Sequence, residues 1–156
     1  MNLIYNYIGR LIYIATYPFI YFSVNGSSRT RVLLITDNKI LILRDWVGSG
    51  EWSLPGGGMH KSEDPKVCAV REVKEETGIN LDINLLTHIE TINYNKKRST
   101  STRYIYSVHL NSRPDLTLQK YEIIEAGWFS PSELKNMKLA DDVKLILSSH
   151  DKLLKT

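Results

Sequence analysis

Along most of the chain, apolar residues come in short runs of strand length. At two places the period lengthens to the three-to-four spacing of a helix. Arg31–Thr36 and Lys39–Arg44 are rich in β-branched and aliphatic residues and flank Asp37-Asn38, which suits a hairpin turn. Trp52–Leu54 predicts a short strand entering Pro55-Gly56-Gly57-Gly58. Leu81–Asn95 and Thr102–Asn111 predict two longer strands, and Glu122–Phe129 another. Ser130-Pro131, with Glu133 three residues after the serine, opens a short helix. Ala140–Leu154 reads as a closing amphipathic helix whose apolar side is Val143, Leu145, Ile146, Leu147, Leu153 and Leu154. Residues 3–24 break the pattern. They are apolar and tyrosine-rich, interrupted by Asn6, Arg10 and Pro18, and fit neither a clean membrane span nor a signal peptide. Pro18 should end or kink a helix begun near Asn2. The chain thus divides into an apolar extension, residues 1–24, expected to be helical, and a strand-rich unit, residues 25–156.

The second helical stretch lies in the middle. Asp64-Pro65 has the form of a helix start, with Asp64 as N-cap and Pro65 at the first helical position, and Gly78 suits the position just past the end. Between them Glu72, Glu75 and Glu76 stand at i, i+3 and i+4, so their carboxylates share one face, while Val67, Val70 and Val73 lie toward the other side. Like charges this close repel unless a cation neutralises them. Hard oxygen donors favour Mg2+ or Mn2+, and magnesium usually keeps waters and takes further ligands from substrate phosphates. The bland alternative is a solvated acidic face on which Arg71 and Lys74 pair with their neighbours.

From Gly57 to Ile79 the residues read G-x5-E-x7-R-E-V-x-E-E-x-G-I, preceded by Trp52-Ser53-Leu54-Pro55-Gly56. This segment resembles the signature box of the Nudix hydrolases. The resemblance implies an α/β/α sandwich with a mixed β-sheet, and hydrolysis of a nucleoside diphosphate linked to a group X. Glu72, Glu75 and Glu76 are then the metal carboxylates, the Gly56 carbonyl a further ligand, Arg71 the cation that orients the glutamates, and Glu63 an outer support. The box does not say which glutamate is the base, since relatives use either a box glutamate or one on a later loop. Glu122 and Glu125 are the later candidates here, with Glu122 preferred. Two alternatives stay open: a non-catalytic nucleotide sensor, and a pyrophosphohydrolase of nucleoside triphosphates or RNA 5′ ends. Elements typical of NADH, coenzyme A and ADP-ribose subfamilies are missing, so the substrate class stops at nucleoside diphosphate derivatives.

The 156 residues suffice for one domain with a substantial core. Net charge is only +3, yet no acidic residue precedes Asp37, while Arg10, Arg29 and Arg31 do. Lys96, Lys97, Arg98 and Arg103 form a basic stretch between two strands, either a contact for an anionic substrate or a solvated hairpin loop. Tyr94, Trp46 and Trp52 are candidates to stack a base, or core aromatics. Aromatic and basic residues are not interleaved densely enough for a nucleic-acid surface. The single cysteine, Cys68, excludes an intramolecular disulfide and suits a reducing, cytoplasmic setting; it reads as a small buried residue. The four histidines, His60, His88, His109 and His150, lack metal-ligand spacing. The extension has three readings: packing on its own domain, a homodimer contact, or peripheral contact with a membrane surface.

Overall fold

In the computed structural model the described residues are 27–47, 50–96, 99–119 and 121–149, with Ile8, Leu11, Ile12 and Ala15 in the extension. These four extension positions are helical and exposed. The remainder of residues 1–24, with the expectations placed on it, lies outside the described residues. Among the described residues no helix is long and apolar enough to cross a membrane.

Six strands form one mixed sheet: β1 (Ser28–Thr36), β2 (Lys39–Asp45), β3 (Trp52–Ser53), β4 (Thr87–Lys96), β5 (Ser99–His109) and β6 (Ile123–Phe129). The β1–β2 hairpin turns at Asp37 and Asn38, whose φ values of 48° and 55° are the left-handed pair that a two-residue turn needs. β1 then runs parallel to β5 from Ser28 opposite Thr102 to Ile35 opposite His109, while β2 pairs antiparallel with β6 and, near its end, with β3. β4 and β5 form a long antiparallel pair.

The strand alternation explains the layering. In β1 and β2, Val32, Leu34, Leu41 and Leu43 join one buried cluster with Ala69 and Val73 of helix α1 (Pro65–Thr77). The intervening Leu33, Ile35, Ile40 and Ile42 join a second cluster with Leu134 of α2 (Pro131–Leu134) and Val143 and Ile146 of α3 (Asp141–Ser149). Both faces of the central strands are therefore covered, giving the expected α/β/α sandwich. Each fully buried aliphatic side chain here contributes about 1.5–3 kcal/mol.

Helix α1 starts and stops as its sequence predicts. Asp64 accepts from the Lys66 and Val67 amides at 2.8 and 3.2 Å, and Gly78, at φ 77°, donates to the Lys74 carbonyl at 2.9 Å. Three expectations need correction. Val67 does not anchor the helix: it is 48% exposed, and Cys68, Ala69 and Val73 make the contact. Leu145 likewise faces outward on α3, at 41%. The strand expected from Leu81 begins only at Thr87, because Asp82 caps a 3-10 turn at Ile83–Leu85 through its bond to the Asn84 amide.

Candidate active site

The Gly56–Gly58 loop crosses the start of β1 and is pinned to it by backbone bonds from Val32 to Pro55, Thr30 to Gly57 and Met59 to Ser28, at 2.8, 2.9 and 3.0 Å. Gly56 has φ 135°, and a Cβ there would sit 2.3 Å from the Thr30 carbonyl oxygen, so only glycine fits this approach. A Cβ on Gly57 would meet the Glu72 carboxylate at 2.4 Å, which places Glu72 directly against the loop. The Gly56 amide donates to Glu76 Oε2 at 2.8 Å. Two carboxylates of α1 thus stand against the backbone of the glycine turn.

Arg71 ties the cluster together. Its guanidinium donates to Glu63 through Nε and Nη2 at 2.8 and 2.9 Å, to Glu72 at 2.7 Å, to Glu75 at 3.1 Å and to the Gly58 carbonyl at 3.1 Å. The forked bond holds the Glu63 carboxyl down at about 2 and Arg71 above its ordinary value. Glu63 also accepts from the His60 amide at 2.8 Å, closing the loop on itself. Glu75 is half exposed. Glu76 is buried at 7% exposure. Burial pushes its carboxyl up to about 8, against the opposing pull of the Gly56 amide and Arg31.

Further charge gathers from outside the box. Glu122 is held above the usual carboxylate range by partial burial and by the neighbouring charges of Asp45, Glu72 and Glu75. Asp45 is raised by burial, with Arg31 and Arg29 pulling the other way. A cavity of about 250 Å³ lined by Asp45, Val47, Gln119, Tyr121 and Glu122 opens here. Glu125 points elsewhere: Arg44 holds it at 2.5 Å. Arg29 has a buried Nε without a hydrogen-bond partner among the described residues, and its charged neighbours are Arg31, Arg103, Glu72 and Asp45. Arg103, opposite Arg29 in the β1–β5 register, binds Asp142 at 2.8 Å.

Trp52 stacks edge-on against Phe129 at 5.4 Å beneath the Arg44 guanidinium, a packed position rather than an open platform. Lys97 and Arg98 lie outside the described residues, as do the side chains of Tyr94 and Lys96. Cys68 is buried, with its thiol pushed up to about 11 by burial. The residues that sequence reasoning missed are Asp45, Arg31 and Asp142, together with Arg29 as part of the site. One signal was present, since Arg29 and Arg31 interrupt the apolar strand at alternate positions.

The donor set suits a hard, partly hydrated cation. Among the described residues no three acidic, histidine or cysteine side chains stand together so as to hold a metal ion. Glu72 and Glu76 stand against the glycine turn and Glu75 shares the Arg71 guanidinium with Glu72, and magnesium needs only one or two carboxylates. Glu76, buried and reluctant to ionise, is a group whose charge a cation would stabilise.

A family model of the NUDIX domain matches residues 27–148. The chain is 34% identical over 93 residues to the mRNA-decapping enzyme subunit 2 of Arabidopsis thaliana, covering 60% of this chain and 24% of that protein. It is 29% identical over 105 residues to a MutT-like protein of Streptomyces ambofaciens, covering 66% and 62%. The chain thus spans less than two thirds of either relative. Among solved structures, a MutT NUDIX hydrolase from Burkholderia pseudomallei superposes with a TM-score of 0.70 at 21% identity, covering 79% of this chain and 96% of that one. A C. elegans Ap4A hydrolase complex gives 0.69 at 20% identity, covering 83% and 98%. At such identities these structures share the fold. With the family match covering most of the chain, the protein that carries this glycine turn, Arg71 fork and glutamate helix is a member of the Nudix family.

Proposed function

We propose that the chain is a divalent-cation-dependent pyrophosphohydrolase that splits the phosphoric anhydride of a nucleoside diphosphate derivative, giving a nucleoside monophosphate and phosphorylated X. The observation that carries this reading is the placement of Glu72 and Glu76 against the Gly56-Gly57 backbone, with Arg71 bridging Glu63, Glu72 and Glu75. Glu72, Glu75, Glu76 and the Gly56 carbonyl would hold Mg2+ or Mn2+, with Glu63 supporting them from outside. Such a cation, when bound, acidifies water and neutralises phosphate charge.

The chain's own groups supply the rest. Arg71 keeps the glutamates oriented. Glu122 is the base that takes the proton of the attacking water, because its neighbours Asp45, Glu72 and Glu75 put it beside the cluster and raise its proton affinity, whereas Glu125 is held by Arg44. Arg29 and Arg103 supply positive charge for a substrate phosphate. The cavity beside Tyr121 and Gln119 takes the nucleoside or X. The single cysteine suits a cytoplasmic setting.

A second reading is favoured by the similarity to the decapping subunit and by 50% identity over 32 residues to an RNA pyrophosphohydrolase of Roseobacter denitrificans. On that reading the anhydride belongs to an RNA 5′ end. One screen tests both. Wild type and Glu75→Gln are assayed with Mg2+ and Mn2+ against nucleotide sugars, dinucleotide polyphosphates, nucleoside triphosphates, CDP-alcohols and triphosphorylated or capped RNA. Turnover of one class, lost in the variant, supports the enzyme and names the substrate. Equal silence of both proteins, with nucleotide binding intact, sinks the enzyme and leaves a sensor.

A further inference from the structure

A carboxylate of the last helix reaches the glycine turn through a buried guanidinium. Asp142, on α3, is 2% exposed. Its Oδ2 accepts from Arg31 Nε at 3.2 Å and from Arg103 Nη1 at 2.8 Å, and its Oδ1 from the Val143 amide at 3.0 Å. Arg31 Nη1 donates in turn to the Gly56 carbonyl. The amide of the same glycine donates to Glu76. A continuous line of contacts, Asp142–Arg31–Gly56–Glu76, therefore runs from α3 through β1 and the loop to α1.

The backbone of the turn makes this line consequential. Pro55 and Gly57 give their carbonyls to β1 amides, but the Gly56 carbonyl is oriented by the Arg31 side chain. Arg31 is itself largely buried, and burial works against its charge; Asp142 is the first of the groups that outweigh this. Arg29, Arg31 and Arg103 are charged neighbours, and Asp142 contacts two of these three directly. Without the Asp142 charge, Arg31 would stand at Gly56 with only Glu76 and Asp45 to offset its charge, and its guanidinium would lose the bond that fixes it on the carbonyl. Both effects oppose the uptake of a second positive charge between Gly56 and Glu76.

We propose that Asp142 is a positioning residue for the cation site, fixing Arg31 on the Gly56 carbonyl and cancelling its charge there. This rests on the function proposed above. A purely structural Asp142, placed near the start of α3 to favour the helix dipole, would affect stability alone. The two roles separate in a direct Mn2+ titration of the full chain, reading free Mn2+ by electron paramagnetic resonance beside the Tm.

Asp142→Asn is expected to weaken Mn2+ binding by about tenfold, the usual size for a group supporting a metal ligand. Ile146→Ala opens a cavity in the apolar face of the same helix; it lowers the Tm and should bind Mn2+ as wild type does. Asp142→Glu keeps the charge, and so the fold, but lengthens the reach; its affinity should fall between the two, and it decides the matter if Asp142→Asn does not fold. Binding by Asp142→Asn, or by Asp142→Glu in that event, within about twofold of wild type overturns the inference, because supporting groups cost more than that. An equal loss in Ile146→Ala also overturns it. A wild type that takes up no Mn2+ overturns the proposed function as well.

Discussion

The three glycines of the turn should separate stability from chemistry when each is changed to alanine. At Gly56 the new Cβ would lie 2.3 Å from the Thr30 carbonyl oxygen, 2.9 Å from its carbon and 3.0 Å from Arg31 Cα. All are backbone atoms of a strand registered along its length to β5, so nothing nearby can give way cheaply. The φ of 135° adds conformational strain. Strain of about 1–3 kcal/mol and overpacking of about 1–3 kcal/mol together predict a loss on the order of 4 kcal/mol. For a domain of this size that lowers the Tm by on the order of 10 °C. At Gly57 the clash is with the Glu72 carboxylate, the far end of a side chain that can swing away. Gly57→Ala should therefore keep the stability within about 1 kcal/mol of wild type, since the end of a flexible side chain can shift, yet lower Mn2+ affinity by about tenfold as Glu72 leaves its place. At Gly58 a Cβ meets nothing within 4 Å, and Gly58→Ala should be near neutral in both. Urea denaturation and Mn2+ titration of the three variants read the series. A Gly56→Ala protein as stable as Gly58→Ala would refute the reasoning.

Four further outcomes are expected. In metal-free protein, Glu76 binds its proton up to about pH 8 when folded but only to about 4.5 when unfolded, so the folded state holds more protons across that window. Its contribution to stability should therefore fall as pH rises from about 4.5 to 8, by up to about 1.4 kcal/mol per unit; urea titrations in chelator at several pH values, with Glu76→Gln flattening the slope, check the sign. Glu63 runs the opposite way: its stabilisation is present above about pH 4.5 and lost as the pH drops toward 2, so Glu63→Gln should lose the acid-side decline in the same titrations. Arg71→Lys should fail to rescue Arg71→Ala, since one ammonium cannot reproduce the fork to Glu63 together with the bond to Glu72; a loss of about 2 kcal/mol in both is expected by urea denaturation. Glu122→Gln should lower kcat by about a hundredfold or more while Glu125→Gln leaves it nearly unchanged; the reverse ranking in steady-state assays would move the base to Glu125.

Much of the fold was legible because its signals are local. The Asp64 cap, the Gly78 stop and the left-handed Asp37-Asn38 turn depend on one or two residues each, and the structure has all three. In β1 and β2 the apolar runs are continuous, so only the packed structure shows which residues face which layer. Helix faces are less secure: spacing alone turns Val67 inward, although the contact arc of α1 centres on Cys68, Ala69 and Val73. The hydrophobic run through Leu85 and Leu86 predicts too early a start for β4, and only the Asp82 side-chain bond shows that the chain turns there.

For the candidate site, the sequence by itself determined the glutamate face of α1 and the glycine turn. Helical spacing carries carboxylates at i, i+3 and i+4 to one side whatever else the chain does. For Arg71 and Glu63, eight residues apart, the family likeness implies separate roles, and only the structure shows the bonds between them. Asp45, Arg31, Arg103 and Asp142 belong to strands and a helix far apart in the chain, and no local period links them. Their meeting depends on β1 running parallel to β5 and on α3 covering the face that carries Arg31. Burial and charge compensation act through space, and so the buried guanidinium at Gly56 and the carboxylate that neutralises it came into view only with the packed fold.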